Sequence, residues 1–275
     1  AGNDIIDGGE GSDILDGGTG NDTFISSIND GIDTIDGGAD NDTIIGSSDA
    51  DIIRYDNITS VETFQLADED DVILFGAPSV TIDSTITIDG GLGTDTLLVN
   101  SVGNTSMTFD AGSTILGIEL VQGGVGDNLF DLVNFGPYSS TPFTVDGGAG
   151  NDTLVGDKGN DTFQGGEGID TVDFSNSSDA ETVDLKNNRA SGGEDIDDIF
   201  DVENVIGTKF NDSITGDDND NILKGEKGDD YLSGGLGNDT LDGGEGNDTA
   251  DYSDITSGGV TVSLAQSGAQ NTVNA

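Results

Sequence analysis

The sequence predicts an all-β solenoid, a stack of short coils with a parallel sheet along each side. Three observations predict it: a nine-residue repeat, an acidic and an apolar residue held two places apart within it, and an unusual abundance of glycine. The chain has 275 residues, of which 45 are glycine and 3 proline, and hydrophobic residues make up 32%. With 55 Asp+Glu against 7 Lys+Arg, a net charge of −48, composition alone would suggest a disordered acidic polymer. The order of the residues argues otherwise.

Gly8-Gly9-Glu10-Gly11-Ser12-Asp13-Ile14-Leu15-Asp16 runs directly into Gly17-Gly18-Thr19-Gly20-Asn21-Asp22-Thr23-Phe24-Ile25. The same pattern, G-G-x-G-x-D-x-U-x with U a large apolar residue, fills Gly147 to Asp173 in three copies and Gly207 to Asp251 in five. Its sixth position falls at Asp4, Asp13, Asp22, Asp33, Asp42, Asp51, Asp95, Asp152, Asp161, Asp170, Asp197, Asp212, Asn221, Asp230, Asp239 and Asp248. Its eighth position is apolar after nearly every one, from Ile6, Leu15 and Phe24 to Leu223, Leu232 and Leu241, and only Ala250 is small. A random acidic polymer would not keep these two positions in step.

The first six positions read as a tight turn, because glycine reaches positive φ and lets backbones approach closely. The last three read as a very short strand. Side chains alternate along a strand, so position eight points in while seven and nine point out. One turn and strand cannot bury its apolar face alone, so two of them make a coil of about 18 residues and the coils stack, about 15 in all. One large apolar side chain per nine residues is a thin core against the entropy of ordering nine backbones. The net charge adds self-repulsion. Alone, the chain is predicted to be unfolded or loosely collapsed, and a multivalent cation has to supply the difference.

The repeat resembles the calcium-binding nonapeptide of the RTX (repeats-in-toxin, hemolysin-type) family. The resemblance implies a right-handed parallel β-roll, a β-helix solenoid of stacked calcium-binding coils. It implies several Ca²⁺ ions, each held between turns on one side by sixth-position carboxylates and by carbonyls of the glycine-rich turns. Same-side turns are then about 18 residues apart, and the series above becomes the ligand set. Asp4 pairs with Asp22, Asp152 with Asp170, Asp212 with Asp230 and Asp248, and Asn221 with Asp239. Asn221 is neutral and is expected to make a weaker site. Asp40 stands where the motif has its fourth glycine, so it either strains that turn or adds a ligand. Donor chemistry agrees with calcium: carboxylates and carbonyls are hard oxygen ligands, whereas Mg²⁺ demands stricter octahedral geometry. Zinc and copper favour His or Cys, and the chain has neither.

Calcium-binding repeats are expected at residues 1–54, 146–173 and 207–253. Between the first two, residues 55–145 repeat on themselves with a shift of 57: Ile58, Val61, Glu62 and Gln65 fall on Ile115, Ile118, Glu119 and Gln122, and Asp71 falls on Asn128. Alternating β-branched runs such as Val80-Thr81-Ile82 read as strands. These are predicted to be further coils with degraded calcium turns and a wider core, containing Phe64, Phe75, Phe109, Phe130 and Phe135. Residues 174–206 read as connecting coils, in which Val202-Glu203 repeats the Val61-Glu62 signature and Asp212 then stands where Asp71 stood. Residues 254–275 read as the start of a further, truncated module. Ala1-Gly2-Asn3-Asp4 begins inside a nonapeptide, so the sequence is read as a segment of something longer.

Several functions are excluded or disfavoured. Without Cys or His there is no disulfide framework, thiolate nucleophile, Ser-His-Asp triad or imidazole base. So acidic a chain does not bind nucleic acid or an anionic membrane through its own charge. No run of about 18 apolar residues offers a membrane span, so no membrane insertion is expected. Every carboxylate pair is explained by the repeat, and no enzyme is expected. The reading is a calcium-binding structural repeat protein, secreted and outside a Gram-negative cell, forming part of a filament, surface layer or matrix. Its coils resemble RTX surface-layer proteins more than a toxin tail, and it is expected to associate with itself or with neighbouring copies. The alternatives are a calcium-dependent folding and secretion module of a type I secreted enzyme or toxin, or an adhesin stalk.

Overall fold

The computed structural model of the chain describes residues 1–26, 32–77, 79–82, 85–100, 103–111, 113–132, 142–156, 159–193, 195–251, 253, 258–263 and 271–273. Apart from 3₁₀ turns at Tyr55–Asn57 and Leu185–Asn187, the regular structure of these residues is β-strand, nearly all of it parallel. The chain is a parallel β-solenoid. It falls into two compact units, one built on Ala1–Gly126 and the other on Asp127–Val133 and Ser140–Ala275. Phe135 and most of residues 254–275 lie outside the described residues.

In the first unit the motif folds as its spacing predicts. Positions seven to nine form three-residue strands at Ile5–Asp7, Ile14–Asp16, Thr23–Ile25, Thr34–Asp36 and Thr43–Ile45. Position eight is the inward one: Phe24 and Ile44 are fully buried, while position seven leaves Ile14 86% exposed. Stacking is strand on strand, with Phe24 beside Ile6 on one coil and beside Ile44 on the next.

Coil length departs from the expected constant. Ile5 pairs with Thr23 at the predicted spacing, but Thr23 pairs with Thr43, Thr43 with Thr63, Thr63 with Thr87 and Thr87 with Thr114. The longer coils hold a third strand. Thr63–Gln65, Val72–Phe75 and Ser79–Ile82 stack on Thr87–Asp89, Thr96–Val99 and Ser106–Phe109. Three faces enclose a wider interior, in which Phe64, Phe75, Ile82, Ile88, Leu97 and Met107 are fully buried. The wider core expected here is present, and Tyr55 packs its ring against Phe75 at 4.9 Å between centroids. Because coils lengthen wherever residues are inserted, the solenoid has about 11 turns rather than the 15 that a fixed coil would give.

In the second unit two ladders of short strands run through Leu154, Val172, Val205, Leu223 and Leu241 on one side and Ile214, Leu232 and Ala250 on the other. One inset breaks the parallel rule. Arg189–Gly192 runs antiparallel to both Glu181–Asp184 and Asp195–Phe200 before the coil resumes. Asp184 caps the reversal by accepting the N–H of Asn187 at 3.1 Å, and Asn188 turns the chain at φ +56°. Asparagine tolerates this left-handed conformation better than most residues.

Candidate metal centres

The sixth-position side chains stack in separate series, one per coil along each side, and each is tied to the coil before it. The N–H of one sixth residue donates to a side-chain oxygen of the next. Asp4 donates to Asp22 (2.8 Å), Asp22 to Asp42 (2.7 Å) and Asp42 to Glu62 (2.8 Å). A second series runs from Asp51 to Asp71 (2.6 Å), Asp71 to Asp95 (2.8 Å) and Asp95 to Glu119 (2.9 Å), and Asp13 donates to Asp33 (2.9 Å).

In the second unit the series are Asn128 to Asp152 (2.7 Å), Asp152 to Asp170 (2.7 Å) and Asp170 to Glu203 (2.8 Å). Asp161 donates to Asp197 (3.0 Å). Glu181 leads to Asp212 (2.7 Å), Asp230 (2.8 Å) and Asp248 (3.1 Å), and Asn221 leads to Asp239 (3.0 Å). Every pairing expected between Asp4 and Asp22, Asp152 and Asp170, Asp212, Asp230 and Asp248, and Asn221 and Asp239 is therefore a physical neighbour.

Sequence reasoning missed part of this set. Glu62, Glu119, Glu181 and Glu203 occupy the sixth position, as do Asp71 and Asn128. The recurring Val/Ile-Glu pair was the signal for three of them.

These carboxylates are buried: Asp22, Asp42, Asp95, Asp152 and Asp170 are at most 1% exposed. One oxygen takes the N–H of the coil before. The second oxygen of Asp22, Asp42, Asp71, Asp95, Asp152, Asp170, Asp230, Asp239 and Asp248 is buried with no hydrogen-bond partner. Except at Asp71, whose turn has Leu66 in that place, it lies over the first glycine of its own turn, beside that turn's neighbour. A Cβ on Gly17 would sit 2.5 Å from Asp22 Oδ2 and 2.6 Å from the Gly37 carbonyl oxygen; on Gly147, 2.6 Å from Asp152 Oδ2 and 2.7 Å from the Gly165 oxygen. The missing Cβ leaves a pocket lined by a carboxylate and a carbonyl.

Burial makes the charge costly. It pushes Asp71 and Asp152 up to about 6 and Asp230 up to about 7, in each case more than the backbone hydrogen bond draws it down. Asp95, Asp170 and Asp239 are raised for the same reason. Neighbouring carboxylates add to the rise, as Asp212 and Asp248 do at Asp230. A cation beside the orphaned oxygen relieves both burdens. Among the described residues no three acidic side chains converge into a cage. A metal here therefore has to take most of its ligands from main-chain carbonyls, which is hard-oxygen chemistry suited to Ca²⁺.

A comparison with protein families matches the RTX calcium-binding nonapeptide repeat (4 copies) at residues 1–24, 27–57, 144–173, 201–226 and 215–250. The chain carries RTX calcium-binding repeats. No curated protein matches it. Residues 58–143 fall outside the RTX matches, although Gly90–Asp95 and Gly123–Asn128 keep the motif's glycines. Two sixth-position residues, Asn128 outside the RTX matches and Asn221 inside them, are amides and satisfy themselves. Asn128 Nδ2 donates to the Gly147 carbonyl (3.2 Å), and Asn221 Nδ2 donates to the Glu203 carbonyl (2.8 Å). An N–H donor meets a carbonyl there without any ion. Asp40 takes φ +85° at the fourth position, and its carboxylate accepts the N–H of Gly20 (3.2 Å). The turn is strained as expected, and the side chain is used in hydrogen bonding.

Proposed function

We propose that this protein is a calcium-folded structural segment of an extracellular filament, surface layer or matrix, and that it catalyses nothing. The observation that carries this reading is the line of buried carboxylates with one oxygen each left without a partner. Such a line repels itself in the absence of a cation and becomes a continuous binding strip in its presence. The proposed ligands are Asp4, Asp13, Asp22, Asp33, Asp42, Asp95, Asp152, Asp161, Asp170, Asp197, Asp230, Asp239 and Asp248, with turn carbonyls completing each shell. Asp51, Asp212 and Asn221 belong to the same positional series.

The outward face supports assembly between copies. It combines exposed acids with exposed apolar residues such as Ile5, Ile14 and Ile52, and calcium bound along the turns lowers the charge that holds copies apart. RTX repeats suit a protein that leaves the cell unfolded and folds where calcium is plentiful. Among the described residues no helix is long and apolar enough to cross a membrane.

Circular dichroism tests the calcium part of the reading: disordered chain in chelator, β-sheet in millimolar Ca²⁺, and a much weaker response to Mg²⁺. A full β signal retained in chelator counts against it. Electron microscopy tests the assembly part. Fibres or sheets in calcium that disperse in chelator support a filament or layer. Monodisperse rods at high protein and calcium concentration favour a folding and secretion module instead.

A further inference from the structure

The second residue of each turn decides what the sixth-position side chain touches. In three turns that residue closes the site from within. Ser47 N–H donates to Asp51 Oδ2 (2.5 Å), Thr208 N–H to Asp212 Oδ2 (2.6 Å) and Asp217 N–H to Asn221 Oδ1 (2.9 Å). The Thr208 hydroxyl adds a bond to Asp212 Oδ1 (2.9 Å). In the turns ending at Asp95, Asp152 and Asp230 the second residue is Gly91, Gly148 or Glu226, at φ +95°, +94° and +71°. No such bond forms there, and the second carboxylate oxygen is buried without a partner.

The open signature also occurs where no repeat was matched. Leu66-Ala67-Asp68-Glu69-Asp70-Asp71 has no glycine, yet Ala67 takes φ +94° and Glu69 φ +78°. L-residues hold such angles only where surrounding structure imposes them. Asp71 is fully buried and its Oδ2 has no hydrogen-bond partner. This turn stacks on Gly90–Asp95: Asp71 N–H donates to Asp95 Oδ1 (2.8 Å), and Leu92 N–H donates to the Ala67 carbonyl (2.8 Å). A Cβ on Gly91 would come 1.8 Å from the Ala67 oxygen, and one on Gly93 1.9 Å from the Glu69 oxygen. Two orphaned carboxylate oxygens therefore lie in consecutive turns whose main chains are in close contact.

We propose that the stacked turns Leu66–Asp71 and Gly90–Asp95 form a calcium site of which the motif reveals only the Asp95 half, while the turns of Asp51, Asp212 and Asn221, closed by their own second residue, take no ion. The proposal rests on the calcium reading above and adds a rule for which turns are used. Asp71 and Asp95 supply the carboxylates, and turn carbonyls supply the neutral oxygens.

The test is equilibrium dialysis with radioactive calcium on the full chain, with folding followed by circular dichroism. Asp71→Asn is expected to lose bound calcium. Asp51→Asn is expected to keep the parent stoichiometry. Thr208→Gly, which opens the turn of Asp212, is expected to gain an ion. If Asp71→Asn fails to fold in calcium, the other two variants decide. Equal losses from Asp51→Asn and Asp71→Asn, full retention by a folded Asp71→Asn, or no gain from Thr208→Gly would overturn the rule. A parent chain that binds no calcium would instead overturn the calcium reading itself.

Discussion

Asp230→Asn is expected to change sign with calcium. Asp230 is 2% exposed, accepts the Asp212 N–H at 2.8 Å, donates its own N–H to Asp248 at 3.1 Å, and has a buried oxygen with no partner. Asparagine keeps the acceptor and replaces the orphaned oxygen by an N–H₂ group. Asn128 shows where that group goes in the same position: its Nδ2 reaches the first carbonyl of the following turn, that of Gly147, at 3.2 Å, and the Gly243 carbonyl stands in the equivalent place beside Asp230. In chelator the substitution therefore removes a buried charge and creates a donor with a ready acceptor. The Asp230 carboxyl is raised from 3.8 to about 7. At about 1.4 kcal/mol per unit, its ionisation costs the calcium-free fold at most on the order of 4 kcal/mol above neutral pH, and the variant recovers part of that. In calcium the same change deletes a charged ligand between the turns of Asp212 and Asp248. A loss of about 1.4 kcal/mol or more raises the calcium midpoint of folding at least tenfold. The assay is far-UV circular dichroism, first in chelator and then across a calcium titration. More β-structure than the parent in chelator, together with a higher calcium midpoint, is the expected pair of results. A variant that moves in the same direction under both conditions would refute the account of an ion at this carboxylate.

Other outcomes follow from the same geometry. Burial raises Asp71, Asp152 and Asp197 to about 6 and Glu181 and Asp230 to about 7, all above the unfolded carboxylate range near 4. The calcium-free fold therefore binds more protons than the unfolded chain, and its stability is greatest below pH 4 and declines as pH rises through 6 to 7. Calcium competes with those protons, so its apparent affinity is expected to weaken as pH falls through the same window. Dichroism in chelator and calcium titrations at pH 5 and 8 would check both trends. Gly90→Ala places a Cβ 2.0 Å from the Gly117 carbonyl and 2.5 Å from Asp95 Oδ2, whereas Gly103→Ala meets nothing within 4 Å. The first is expected to cost about 3 kcal/mol and the second almost nothing, read as melting temperatures in calcium. Asn221→Asp turns the donor facing the Glu203 carbonyl into an acceptor beside the Asp217 carboxylate, and is expected to cost about 1–3 kcal/mol in urea unfolding at fixed calcium.

The strands were legible in the sequence because two constraints coincide at each repeat. Position eight has to be apolar to fill the interior, and position six has to carry an acceptor for the N–H of the coil before. Neither tolerates a shift of one residue, so Phe24, Ile44, Leu154 and Leu223 mark the core unaided. Coil length was not legible, because an insertion in a loop leaves that pairing untouched: Thr63 finds Thr87 as readily as Ile5 finds Thr23. The antiparallel inset was hidden for a similar reason. Its strands alternate as any strand does, and the residue that reverses the chain, Asn188, is one of many asparagines.

The missed carboxylates show how the sixth position can outlast its motif. What the stack needs there is an acceptor for one N–H, and the glycine-rich turn is only one way of presenting it. At Glu62, Glu119 and Glu203 the turn is gone, and the longer glutamate reaches the same N–H at 2.8, 2.9 and 2.8 Å. At Asp71 the turn survives without its glycines, because Ala67 and Glu69 are forced to the angles glycine would take. Loss of glycine alone therefore does not mark a turn as lost to the solenoid. The first case keeps the coil stacked through a hydrogen bond, and Ser60, Gly117 or Asp201 still places one carbonyl over the first glycine of the adjoining turn. The second keeps both the hydrogen bond and a buried carboxylate oxygen without a partner. An acidic sixth residue records only that the coils stack; the conformation of the second residue, four places earlier, determines whether the stack has an oxygen to spare.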